Sequence, residues 1–141
     1  MILLDTNVVS EGLRPRPHML VKAWTDAQHH TTLYLCAPVL AELRYGLERL
    51  QDGRRKADLR QGIHRIENDL FLDRILPFDL AAAREYSLLM VDRRRKGRPI
   101  DVMDGLVAAI ARSQGATLAT RNTSHFTDLG LELINPFEPA R

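Results

Sequence analysis

Cysteine is almost absent: Cys36 stands alone among 141 residues. One thiol can close no internal disulfide and supplies no cysteine zinc site. It lies in the apolar run Leu33-Tyr34-Leu35-Cys36-Ala37, where it reads as a small buried hydrophobe rather than a nucleophile. Long apolar runs are missing as well. Nothing approaches the roughly 18 apolar residues that a membrane span needs. Met1-Ile2-Leu3-Leu4 has no basic flank and is cut short by Asp5, so it does not read as a secretion signal. A soluble, cytoplasmic protein without a membrane partner is expected. No sign of charge dominates, since 20 Lys+Arg stand against 18 Asp+Glu for a net charge of +2. Nucleic-acid binding is therefore not legible from the sum, and the placement of the charges carries the information. The five histidines show no H-x-x-x-H spacing, so zinc is not expected, and they read as surface or capping residues. There is no G-x-S-x-G elbow, no G-x-G-x-x-G and no P-loop, which sets aside serine hydrolases and the common nucleotide folds. Repeats and Gly/Ser-rich linkers are lacking too, and the chain reads as one domain over 1–141.

What is present is an alternation of strand and helix patterns. Ile2 to Leu4 is a short apolar run suited to a strand buried on both faces. Asp5, Thr6 and Asn7 end it and can cap a helix through Glu11. Pro15 and Pro17 break the chain, and a helix is expected from about His18 to His29, with Trp24 as its core anchor. Leu33 to Ala37 reads as a second strand. The next helix starts at Pro38, carries Val39, Leu43 and Leu47 on one face and is ended by Gly53. A further helix is expected over Arg55 to Leu70, a strand over Arg74 to Phe78, and a long helix over Leu80 to Arg95 capped by Asp79. Asp101 to Ser113 is the most apolar helix. Thr117–Thr120 and Leu131–Ile134 read as the last strands. Such alternation predicts an α/β fold with a mostly parallel central sheet. Ligands of these sheets lie at the carboxyl ends of the strands.

Three acids fall near those ends. Asp5 directly follows the first strand, where the plain reading is a helix cap. Glu42 borders the apolar stripe of its helix, where the plain reading is a local ion pair. Asp104 lies at the start of the most apolar helix, with Ile100, Val107 and Ala108 as its helical neighbours. A carboxylate there is costly to bury unless a cation supplies the missing charge, although a first-turn carboxylate also suits the helix dipole. Asp101, one turn earlier, reads as an N-cap that could also hold a water beside a metal. Converging carboxylates repel one another unless a cation joins them, and hard divalent ions take oxygen ligands. A metal-activated water at such a site hydrolyses phosphodiesters.

Two basic runs are present, Arg54-Arg55-Lys56 and Arg93-Arg94-Arg95-Lys96-Gly97-Arg98. The first reads as a solvated helix end. The second leads into the helix bearing Asp104, and Arg93, Arg94, Arg95, Lys96 and Arg98 are candidates for phosphate contacts with RNA, against the same plain reading.

The segments carrying the acids resemble one family. Met1-Ile2-Leu3-Leu4-Asp5-Thr6-Asn7, Leu40-Ala41-Glu42-Leu43-Arg44-Tyr45-Gly46, Ile100-Asp101-Val102-Met103-Asp104-Gly105-Leu106-Val107-Ala108-Ala109, Leu118-Ala119-Thr120-Arg121-Asn122-Thr123 and Asn135-Pro136-Phe137 are similar, in order, to the motifs of PIN-domain ribonucleases. Among these, the VapC toxins and their FitB-like branch are the nearest in pattern. The resemblance implies a PIN-like three-layer α/β/α fold and an endoribonuclease toxin of a type II toxin–antitoxin pair. It implies Asp5, Glu42 and Asp104 as catalytic ligands of Mg²⁺, or of Mn²⁺, with Thr120 and Asn122 in supporting places, beside the place that spacing gives Asp101. It also implies a homodimer, and a VapB/FitA-like antitoxin that assembles with the toxin on operator DNA. Many members of the family carry aspartate where this chain has Asn122, which brings no charge to a second metal. Two other readings stand beside the nuclease. One is a PIN-like module that binds RNA or protein without cleaving. The other is a phosphotransfer receiver, against which the last lysine, Lys96, lies before Asp104.

Overall fold

The computed structural model describes residues 1–140. Its chain order is β1 (Ile2–Leu4), α1 (Thr6–Gly12), α2 (Met19–Ala27), β2 (Leu33–Cys36), α3 (Ala37–Glu48), α4 (Arg54–Arg65), β3 (Ile75–Leu76), α5 (Leu80–Arg95), α6 (Val102–Gln114), β4 (Thr117–Ala119) and β5 (Leu133–Ile134). The five strands form one sheet in the order β3-β2-β1-β4-β5, and every pairing is parallel. Right-handed crossovers that lead away from β1 in opposite directions place helices on both faces of such a sheet. Leu3, Leu35 and Leu118 are accordingly fully buried. The strand order reverses between β1 and β4, and the crevice outside their carboxyl ends is where Asp5 and Thr120 emerge.

Local chemistry explains most of the boundaries. Asp79 accepts a bond from the Ala82 N–H at 2.9 Å and starts α5. Asp101 does the same for the Asp104 N–H at 2.8 Å and starts α6. Gly115 closes α6 in the left-handed conformation at φ 62, where glycine carries no Cβ penalty. Pro38 occupies the first turn of α3. Central α6 is sheathed on most sides, with Val107, Ala108, Ala109, Ile110 and Ala111 all buried. Gly105 lets it approach α5 closely, since a Cβ there would come within 2.6 Å of Met90 Sδ and 3.0 Å of the Tyr86 ring.

Several expected bounds shift. The third strand shrinks from Arg74–Phe78 to Ile75–Leu76, because Pro77 has no N–H to continue the ladder. The last strand shortens to Leu133–Ile134. The helix expected through Leu70 changes register at Ile66–Leu70, where a π-turn forms and Phe71 N–H reaches the Ile66 carbonyl at 3.0 Å. Gly53 does not end α3, which stops at Glu48, but precedes α4 instead. Trp24 is half-buried against the core, and Cys36 is fully buried within it. Among the described residues no helix is long and apolar enough to cross a membrane.

Candidate active site

Asp5 is the first residue after β1 and the N-cap of α1, so the cap reading of this residue is observed. It does more than cap. Oδ1 accepts the Thr6 N–H at 2.8 Å, while Oδ2 accepts the Thr120 hydroxyl at 2.7 Å and the Asn7 amide at 3.3 Å. The residue is only 5% exposed, and Thr120, at the end of β4, is fully buried. Thr120 Oγ1 in turn accepts the Asn122 N–H at 3.0 Å, and Asn7 Oδ1 accepts the Arg121 N–H at 3.1 Å. The loops after β1 and β4 are thus latched to each other from both sides.

Glu42 comes from α3 and faces the same crevice. Its Oε1 accepts the Thr6 hydroxyl at 2.9 Å. Burial holds its carboxyl above the ordinary range. The Thr6 bond opposes this, and the charges of Asp5, Asp104 and Asp101 reinforce it. Asp104, on the first turn of α6, is raised by burial, then by Asp101 and Asp5, against a lowering contact with His125. The structure therefore brings Asp5, Glu42 and Asp104, from three separate elements, into one electrostatic neighbourhood. It does not close them into a cage: among the described residues no three His, Cys, Asp or Glu side chains stand close enough to enclose one ion. The donor set is all carboxylate oxygen, the kind that hard divalent cations take. The mutual repulsion of these groups is what a cation would relieve. The residues fit such an ion.

The supporting residues divide. Thr120 bonds directly to Asp5. Asp101 is exposed and spends its Oδ1 on capping α6, while its charge is felt by both Glu42 and Asp104. Asn122 is exposed beside the latch and enters it through its backbone. Burial pushes the Cys36 thiol up to about 12, with Asp5 and Glu42 adding to the effect, so it stays protonated and is no nucleophile.

The basic run needs a correction. Arg93 is 4% exposed and does not face solvent. Its Nε donates to the Arg98 carbonyl at 2.7 Å, and its Nη1 donates to the carbonyls of His125 and Thr127 at 3.0 and 2.9 Å. Arg93 is therefore withdrawn from the phosphate contacts, because it lies on the inner side of α5. Lys96 pairs with Asp92 at 2.9 Å and Arg98 with Asp128, both at the surface, while Arg94 and Arg95 are exposed. In the first run, Lys56 is buried between Asp52 and Glu48, at 3.5 and 3.8 Å, which is a structural role.

One neighbour of the acids is a histidine that the sequence reading took for a surface or capping residue. His125, on the short turn Thr123–Phe126, places Nδ1 3.1 Å from Asp104 Oδ2. His18 and His29 do act as caps, through ring nitrogens that accept from Leu20 and Thr31. His125 is different, and its only local sign was its place three residues after Asn122 in the segment that follows β4.

Beside the acids runs a groove of about 810 Å³ between α1, α3 and α4. Its lining includes Thr6 and Glu42, the apolar Leu13, Leu43, Leu59 and Ile63, and the basic Arg14, Arg54 and Arg55.

Comparison with known proteins matches residues 2–130 to the PIN domain. The chain is 45% identical to the VapC ribonuclease Y4jK of Sinorhizobium fredii, over 99% of this chain and 100% of that protein. It is 40% identical to toxin FitB of Neisseria gonorrhoeae, over 97% of this chain and 99% of that protein. Among solved structures, FitAB bound to the IR36 DNA fragment superposes with a TM-score of 0.93 at 38% identity, covering 100% of this chain and 99% of the other.

Proposed function

The chain belongs to the PIN-domain family, and on that premise we propose that it is a metal-dependent endoribonuclease, the toxin of a type II toxin–antitoxin pair, folded as one PIN domain over 1–141. One observation carries the reading. Asp5 after β1, Glu42 on α3 and Asp104 on α6 lie in one electrostatic neighbourhood beside the sheet's point of reversed order, and the carboxyls of Glu42 and Asp104 are raised by burial and then by the charge of neighbouring acids. The relatives named as a VapC ribonuclease and as toxin FitB support the activity.

Asp5, Glu42 and Asp104 would hold the ion, which we take to be Mg²⁺, with Mn²⁺ able to replace it. When bound, the cation supplies Lewis-acid stabilisation and water activation for phosphodiester hydrolysis. The chain supplies the rest. Thr6, Thr120 and Asn7 fix the carboxylates of Asp5 and Glu42 by donating to them. Arg94 and Arg95, exposed on the last turn of α5, would meet phosphates of the incoming RNA.

The partner reading rests on the groove. An amphipathic segment of a VapB/FitA-like antitoxin would lay its apolar face against Leu13, Leu43 and Leu59, and its tip would end beside Glu42. A basic residue at that tip would compete with the cation. The likeness to a FitAB complex on DNA supports an antitoxin partner and an assembly of the pair on DNA; within this proposal the toxin is a homodimer, the DNA its operator and the compartment the cytoplasm.

The deciding experiment uses purified free protein and end-labelled RNA. Cleavage with Mg²⁺ or Mn²⁺ that stops with a chelator, and that Asp5→Asn abolishes, is expected. RNA binding without cleavage under both ions would instead leave the non-catalytic module as the right reading.

A further inference from the structure

The Asp104 carboxylate is a short side chain at the edge of the crevice, 20% exposed. Glu42 and Asp5 are each tied by hydroxyls. Asp104 has one donor to its carboxylate among the described residues, and that donor is His125 Nδ1 on Oδ2 at 3.1 Å. An ionised carboxylate only accepts, so Nδ1 carries the proton in this contact. Oδ1 is left without a protein donor among the described residues, so the bond orients the group and leaves an oxygen for a ligand.

His125 is half exposed and could not hold that geometry by its own packing. Its backbone is held from behind. The buried Arg93 guanidinium has no carboxylate partner among the described residues, and its charge is met by three carbonyls: Arg98, His125 and Thr127. These carbonyls lie on the loop that enters α6 and on the turn that carries His125. One side chain therefore fixes both segments that flank Asp104. A guanidinium is suited to this, because its planar fork of five donors can span separate strands of backbone.

We propose that His125 is a positioning residue for the metal site, holding the Asp104 carboxylate in its ligating orientation, and that buried Arg93 is the anchor that holds His125. The inference rests on the reading of Asp104 as a metal ligand. Donors in such outer positions commonly govern metal affinity by about 10–100-fold.

The test measures Mn²⁺ affinity of the full chain, by calorimetry and by the electron paramagnetic signal of free Mn²⁺, at one fixed pH. His125→Ala should weaken binding by about tenfold or more, with an unchanged circular dichroism spectrum, since the ring is half exposed. His125→Gln, which keeps an N–H donor but has no ring, should recover most of the affinity. Arg93→Lys should weaken binding too. The double variant should be no weaker than the poorer single one, because both changes act through the same bond. Wild-type affinity in His125→Ala overturns the proposal. Equal weakness of His125→Gln and His125→Ala also overturns it, since the ring would then be acting as a ligand. Additive losses in the double variant remove Arg93 from the chain of action, and if Arg93→Lys does not fold, the His125 pair decides. The parent reading fails separately: no Mn²⁺ binding by the wild type, or full binding by Asp104→Asn, overturns both.

Discussion

At the scale of single residues, the site stores repulsion. Glu42 and Asp104 have carboxyl groups raised above their ordinary values of 4.5 and 3.8, chiefly by burial and then by neighbouring anions. A carboxyl raised in the folded state binds its proton more tightly there than in the unfolded chain. Its contribution to stability is full below the ordinary value and is lost as pH rises through the raised one. In the metal-free protein these two groups should therefore add to stability as pH falls from neutral toward those ordinary values. Glu11 acts in the opposite sense: burial alone would raise it, but the His18 N–H and Arg14 hold it below its ordinary value. Comparison with a variant isolates the site. Asp104→Asn should melt higher than the wild type at neutral pH without metal, and should have a flatter pH dependence. It should also lose RNA cleavage. Parallel melting curves for the two proteins would mean that Asp104 feels no such field. The same protons compete with the cation, so Mn²⁺ affinity should fall over the same window.

At the scale of elements, two short segments make distinct predictions. The corner between α1 and α2 depends on Glu11, buried at 5% exposure, which accepts the His18 N–H and the Arg14 guanidinium, both at 2.9 Å. Glu11→Ala leaves a backbone donor without its partner and should cost about 1–3 kcal/mol in denaturant unfolding. A loss below about 0.5 kcal/mol would show that the corner holds without it. The end of α5 separates by exposure. Neutralising Arg94 and Arg95 should leave stability unchanged and lower the salt slope of RNA binding by about 1 for each phosphate no longer neutralised. Arg93→Ala should act on folding instead, as it strips three carbonyls of their donor. A salt slope unmoved by the Arg94 and Arg95 changes would return this helix end to simple solvation. Here lies the boundary of what the amino-acid order reveals. The caps Asp79, Asp101 and Gly115, and the helices they bound, follow from local chemistry and were legible. Which of four consecutive basic residues points inward was not. That depends on helical phase against a neighbour, and Arg93 is buried only because carbonyls from distant segments converge on it. The π-turn at Ile66–Leu70 escaped for the same kind of reason, since the apolar spacing there is compatible with an ordinary helix.

At the scale of the whole molecule, the parallel sheet was readable from the alternation of short apolar runs with helical stripes, and its ends pointed to the acids. Strand order was not readable, because it rests on pairings between segments far apart in the chain. His125 was missed for that reason: its closeness to Asp104 is a product of tertiary packing. The groove offers a test of the proposed partner that leaves the acids alone. Gly46 lies on the exposed side of α3, lines the groove, and has nothing within 4 Å of an added Cβ. Gly46→Trp should fill the groove and keep the fold, since glycine inside a helix is itself worth about 1 kcal/mol less than alanine. Co-purification with a co-expressed VapB/FitA-like antitoxin should be abolished in this variant and kept in Gly46→Ala. Retention by both would place the partner elsewhere.

The bond between Asp5 and Thr120 joins residues 115 positions apart. Its two strands pair in parallel at the centre of the sheet, and the chain between them must be in place before they can meet. A polypeptide emerging in sequence order presents Asp5 early and Thr120 late. Until β4 arrives, Asp5 lacks its buried hydroxyl donor, α6 lacks β4 to pack against, and Asp104 has no turn beside it. The proposed catalytic surface is thus a property of the finished chain. A product cut short before Thr120 should be harmless to the cell that makes it, and the interval of synthesis becomes time in which an inhibitor can already be waiting.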